Sequence, residues 1–145
     1  MIFIGIDPGE NTGFAVWDSD ARTFREISTL KLHEAMEKIR AYRDASLCPN
    51  ARSLAVVFED ARQRKWFKKE TSSSEYRGKL MGAGAAKRDA KIWEEFLCSL
   101  GVPYEAHKPQ AGGTKWEAEY FARITGYTGR TSEHSRDAAL LVFQR

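Results

Sequence analysis

Ile2-Phe3-Ile4-Gly5-Ile6-Asp7 is the stretch whose reading decides the fold. It is continuously apolar and rich in β-branched side chains until it meets a carboxylate. That is the pattern of a strand buried on both faces, near the centre of a sheet. A second such strand runs from Ser53 to Asp60, with Leu54-Ala55-Val56-Val57-Phe58 at its heart and Glu59-Asp60 at its end. Between them, Pro8-Gly9-Glu10-Asn11-Thr12-Gly13 reads as a turn, since Pro fixes φ and Gly and Asn tolerate left-handed φ. Phe14 to Trp17 and Thr23 to Leu30 read as antiparallel strands. Leu32, Ala35, Met36, Ile39 and Tyr42 recur at helical spacing, giving an amphipathic helix that ends before Pro49.

Further along, a long helix is expected over Leu80 to Leu100, stopped by Gly101, then a short strand over Val102 to His107. Thr114 is expected to cap a helix running to about Thr125, and Ser132 a last helix through Leu141. The order β-β-β-α-β-α-β-α-α predicts an α/β fold, one mixed five-stranded sheet with helices on its faces. A site is expected at the carboxyl edge of its parallel strands.

The chain has 145 residues, which suits a single domain over 1–145, because two cores of usual size need roughly 200 residues or more. Large multidomain enzymes are excluded. The net charge of +3 names no partner, but its distribution is uneven. Between Ala61 and Lys91 ten bases face three acids, a balance of +7 that leaves −4 for the remainder. Such a stretch is an electrostatic footprint for a polyanion or a solvated, lysine-rich helix face, and charge by itself favours neither. Cys48 and Cys98 fit no metal or redox spacing and are expected as buried, reduced thiols. The N-terminal run lacks a basic leader region and no apolar run approaches the ~20 residues of a membrane span, so a soluble, cytoplasmic protein with no membrane partner is expected.

Strand alternation puts Phe3, Gly5 and Asp7 on one face, and Ala55, Val57 and Glu59 on one face of the later strand. If the two strands are neighbours, Asp7 and Glu59 meet at the same end, while Asp60 points to the other face. On the last helix His134, Asp137, Ala138 and Leu141 share one stripe, with His134 and Asp137 at its start. Three acids converging on a buried edge repel one another, and a divalent cation relieves that repulsion. Oxygen-rich donors favour Mg²⁺ or Mn²⁺ over zinc. Two such ions ~4 Å apart can activate water and stabilise the leaving oxygen of a displacement at phosphorus. Asp7 is the expected bridging ligand, with Glu59, Asp137 and His134 outside it. His134 can alternatively orient the water or relay a proton. Taken one at a time, Asp7 also reads as a turn cap and Asp137 as a salt-bridge partner.

Taken in order, Gly5-Ile6-Asp7-Pro8-Gly9 with Thr12-Gly13, Val57-Phe58-Glu59 and His134-x-x-Asp137-Ala138-Ala139 resemble the RuvC Holliday junction resolvases of the ribonuclease H-like superfamily. The resemblance spans nearly the whole chain, and the compact form looks like the phage or prophage branch. It implies a ribonuclease H-like fold and a homodimer that binds a four-way DNA junction. Each protomer would nick one strand, symmetrically, with Mg²⁺ or Mn²⁺ and no nucleotide cofactor. The family's four catalytic positions fall on Asp7, Glu59, His134 and Asp137.

Arg62-Gln63-Arg64-Lys65-Trp66-Phe67-Lys68-Lys69 interleaves bases with two aromatics. Its cations can neutralise phosphates, and Trp66 or Phe67 can stack on an unpaired base or anchor the loop on the core. Arg77, Lys87 and Arg88 extend the basic track. Lys108 and Lys115 flank Gly112-Gly113, where either contact with phosphate or simple solvation is open. Gly82-Ala83-Gly84-Ala85-Ala86 calls for close packing against the sheet or a second protomer, because each helical glycine costs roughly 1 kcal/mol relative to alanine. Two other activities share these motifs: a ribonuclease H-like nuclease acting on RNA–DNA hybrids or flaps, and an actin-like or sugar-kinase-like ATP-binding fragment. The kinase reading needs two domains around its nucleotide, and this length supplies one.

Overall fold

In the computed structural model, which describes residues 1–48, 52–64, 73–109 and 115–145, three strands open the chain: β1 Ile2–Asp7, β2 Asn11–Asp18 and β3 Thr23–Lys31. Helix α1, Leu32–Ser46, follows without a break; its first turn is closed by the Lys31 N–H donating to the Glu34 carboxylate at 2.7 Å. Strand β4 is Leu54–Glu59, α2 is Ser73–Leu100 and β5 is Tyr104–His107. Two eight-residue helices, α3 Ala118–Thr125 and α4 Glu133–Leu140, end the chain.

The strands form one five-stranded mixed sheet in the order β3-β2-β1-β4-β5. Strand β2 runs antiparallel to both of its neighbours, β1 and β3, and β4 and β5 run parallel to β1. The run of apolar residues in β1 is thereby explained: it is the central strand, covered on both faces. Ile2, Ile4 and Ile6 pack with Val56, Phe58, Ala35 and Ile39 of α1, and Trp93 and Leu97 of α2. The opposite face of the sheet, with Ala15, Trp17 and Val57, packs against Phe121 of α3 and Ala138, Ala139 and Val142. Each of the largest buried side chains contributes roughly 1.5–3 kcal/mol through its removal from water.

Several expectations are corrected. Asn11, Thr12 and Gly13 belong to β2 rather than to the turn, and neither Gly9 nor Gly13 has a left-handed φ. Thr12 is fully buried and donates from Oγ1 to the Gly9 carbonyl at 2.8 Å, closing the turn from within the strand. Helix α2 begins at Ser73 rather than Leu80. Its interior glycines weaken the sequence signal, and only from Ala90 onward does it supply buried residues to the core. Helix α3 begins at Ala118, and the expected cap Thr114 lies outside the described residues. Both cysteines are exposed, Cys98 with its Sγ 3.3 Å from the Tyr104 hydroxyl. The Ser132 cap is as expected: its Oγ accepts from the Ser135 N–H at 3.1 Å. Gly101, at φ 65°, ends α2 in the left-handed conformation that favours glycine. Among the described residues no helix is long and apolar enough to cross a membrane.

Candidate metal and nucleic-acid site

The parallel strands β1, β4 and β5 end at the same edge, with Gly5 opposite Val57 and Glu59 opposite His107. Asp7 and Glu59 are thus brought to one end of neighbouring strands, as alternation predicts. Helix α4 is seated directly over this end. Its approach depends on two glycines: a Cβ on Gly5 would lie 2.0 Å from the Ala138 carbonyl oxygen, and one on Gly13 2.0 Å from that of His134. No side chain fits at either position, so α4 lies against the backbone of β1 and β2. That contact carries His134 to Asp7, with Nδ1 2.9 Å from Oδ2. A carboxylate only accepts, so Nδ1–H donates and the Nε2 of His134 is left for other partners.

The electrostatics mark a cluster of anions. Burial pushes the Asp7 carboxyl above its ordinary range, opposed by the His134 hydrogen bond and charge and reinforced by Asp137. Lys115 pulls it back. Burial also raises Glu59; the charges of Asp7 and Asp137 add to this, while Arg64 and His107 oppose it. Asp7, Glu59 and Asp137 therefore sense one another. Among the described residues, however, no three His, Cys, Asp or Glu side chains are grouped as a ligand set for one metal ion. As the side chains stand, His134 occupies an Asp7 oxygen. The donors still suit a hard divalent cation in kind and in charge: three carboxylates, two of them raised by burial and mutual repulsion.

Beside these groups lies a cleft of about 360 Å³ lined by Glu59 and Asp137, the bases His107, Lys108, Lys115 and Arg145, and an apolar wall. Asp60 points to the other face, as expected. It is buried, and the Arg62 guanidinium donates to it from Nε at 2.8 Å and Nη2 at 3.0 Å. Arg62 also reaches Glu94 of α2 at 2.6 Å. Arg62 therefore ties the chain after β4 to α2, and its fork is occupied within the protein rather than turned to a phosphate. Arg64 is exposed. Lys65, Trp66, Phe67, Lys68 and Lys69 lie outside the described residues, as do Gly112 and Gly113, and of Arg77 only the helical backbone is described. Lys87 and Arg88 are exposed on α2, Arg88 paired at 3.8 Å with Asp89. Lys115 forms an ion pair with Glu133 at the start of α4.

His107, Trp116 and Arg145 enter the cleft without having been singled out from the sequence. For His107 a signal was present, since it ends a strand parallel to β4 and must reach the same edge as Glu59. Trp116 and Arg145 carried none, because their positions follow from how α3 and the chain after α4 fold back. No protein-family model matches the chain, and no curated protein matches it.

Proposed function

We propose that the chain is a ribonuclease H-like, metal-dependent endodeoxyribonuclease that resolves four-way DNA junctions as a homodimer. The observation that carries this reading is the cluster at the carboxyl edge: Asp7 ending β1, Glu59 ending the neighbouring β4, and His134 and Asp137 on the helix packed against β1 and β2. The sheet order, with β4 and β5 parallel to a central β1 and an antiparallel β1-β2-β3, supports the fold assignment. Asp7, Glu59 and Asp137 are the residues that would hold Mg²⁺ or Mn²⁺, with His134 at the rim. When bound, a pair of such ions activates water and stabilises the leaving oxygen of an in-line displacement at phosphorus.

The chain's own groups supply the rest. His134 is oriented through Nδ1 by Asp7, so its Nε2 can take or deliver a proton at the attacking or departing oxygen. Lys108 and Lys115 line the cleft and can balance the phosphate charge as it approaches the acids. Lys87 and Arg88, exposed on α2, extend the positive surface. Support for a second protomer comes from the same helix. Among the described residues an added Cβ on Gly78, Gly82 or Gly84 meets nothing within 4 Å, so no described contact offsets these glycines. Leu80 and Met81 are exposed beside them, Met81 at 77%.

The test is incubation with a synthetic four-way junction, a linear duplex and an RNA–DNA hybrid in Mg²⁺ or Mn²⁺. Paired, symmetric nicks confined to the junction are expected, abolished by Asp7→Asn and slowed by about 10²–10⁴ in His134→Ala. Preferential cutting of the hybrid would replace this reading with that of a hybrid-cleaving nuclease.

A further inference from the structure

Hydrolysis of a phosphodiester leaves the apolar wall of the cleft unexplained. Trp116, Leu140, Leu141 and Phe143 line it together with Glu59 and Asp137, and all four are partly buried side chains packed on the α3 and α4 core. The charged lining places Lys108, Lys115 and Arg145 beside the two carboxylates, with Lys115 paired to Glu133 and Arg145 to Glu105 within the protein. A continuous duplex presents phosphate and sugar to such a rim, and neither gains from contact with indole or leucine. A nucleobase does, because its flat faces are apolar and its backbone anionic. At about 360 Å³ the cleft lies at the small end of the roughly 300–1,000 Å³ range of small-ligand sites.

The two aromatics of the wall are not equivalent. Phe143 is stacked on Phe24 at 6.0 Å and meets Trp17 edge-on at 5.4 Å, so it belongs to the core. Among the described residues the aromatic neighbours of Trp116 are angled to it, Tyr120 at 78° and Phe121 at 64°. Its carbonyl is fixed by Arg136 of α4, whose Nε donates to it at 2.7 Å, and Arg136 is itself held by Thr131 at 3.2 Å. The helix that carries His134 and Asp137 thus also anchors the backbone from which the indole projects. An anchored backbone loses less freedom when a ligand stacks on the ring it carries.

We propose that this cleft is a nucleobase pocket, in which an unpaired base beside the scissile phosphate stacks on Trp116 against Leu140 and Leu141. The inference rests on the nuclease reading above and adds its substrate class: a strand splayed at the point of cleavage rather than a continuous duplex. The base enters the apolar part, and the phosphate that follows it lies between Lys108, Lys115 and the carboxylates.

The test uses single-stranded pentanucleotides in EDTA, so that no cleavage intervenes. One carries a central 2-aminopurine, and the other is identical but abasic at that position. The wild-type protein is expected to bind the base-bearing strand about tenfold or more tightly than the abasic one, with quenching of the 2-aminopurine fluorescence. Trp116→Ala should erase that difference, and Trp116→Phe should retain it. Equal affinity of the wild type for the two strands overturns the pocket, and so does failure to bind either. If Trp116→Ala does not fold, the wild-type comparison decides alone; if it folds by circular dichroism and still discriminates, the pocket is overturned. Discrimination without junction cleavage would sink the nuclease reading and leave the pocket standing. Junction cleavage without discrimination would do the reverse.

Discussion

At Gly13 a single hydrogen atom decides whether the site exists. A methyl group there would lie 2.0 Å from the His134 carbonyl oxygen, 2.5 Å from its carbon and 3.0 Å from the Asp7 Cβ. The first two are backbone atoms, which cannot rotate away, so α4 itself must move. Gly13→Ala is expected to cost about 1–3 kcal/mol by overpacking and to separate His134 from Asp7. The urea midpoint reads the first effect and the imidazole resonances of His134 the second; a variant with wild-type values in both would refute this account. The sequence marks Gly13 as a glycine but suggests the wrong use for it. Turn chemistry is a local property and close approach is not, so the true reason becomes visible only when residue 134 lies over residue 13. Asp7, Glu59, His134 and Asp137 were legible because strand alternation and helix spacing are local rules. Bringing Asp7 beside Glu59 needed only that β1 and β4 be neighbours, whereas His134 and Asp137 needed α4 to settle on Gly5 and Gly13.

Among the elements, α2 is the one whose two ends behave differently. From Ala90 to Leu97 it buries Trp93 and Leu97 against the sheet, whereas Leu80 and Met81 are exposed. Its glycines therefore lower helix stability without a compensating contact among the described residues. Replacing Gly82 and Gly84 together by alanine is expected to raise monomer stability by about 1–2 kcal/mol, since each helical glycine costs roughly 0.8–1 kcal/mol. The same change should weaken self-association if a second copy packs against this helix. Urea titration and concentration-dependent light scattering measure the two effects. A wild-type protein that stays monomeric at all concentrations, with DNA or without, would remove the homodimer from the proposed function. The early start of α2 escaped the sequence reading for the same reason: a helix segment with few buried residues has little apolar period to detect.

Over the whole molecule, the two ends of the sheet are built differently. At the carboxyl edge of β1 and β4, burial raises Asp7 and Glu59 despite the cations nearby. The other end satisfies its acid: Asp18 is buried and accepts from the Ala21 N–H at 3.2 Å and from Arg25 Nε at 2.9 Å, with Arg52 closing the cluster. Burial pushes its carboxyl up, but the Ala21, Arg25 and Arg52 hydrogen bonds outweigh this and hold it down to about 2. A depressed folded-state value means stability that is present above the unfolded pKa of about 3.9 and lost as pH falls toward 2. Asp18→Asn is therefore expected to lower the urea midpoint clearly at pH 7, by about half as much near pH 3, and little near pH 2. An equal loss at all three would show that charge is not what Asp18 contributes. Local periodicity by itself determined the order and type of the elements, the burial of β1 and β4, and the placing of Asp7 and Glu59 at one strand end. It works because a pattern of period two or 3.6 is imposed by the backbone and survives in any tertiary setting. Only the tertiary structure decided that Arg62 serves Asp60 and Glu94, that Gly5 and Gly13 admit α4, and that Trp116 lines one cleft with Glu59 and Asp137. Those outcomes depend on residues far apart in the chain meeting through packing and charge, and no window of sequence contains both partners.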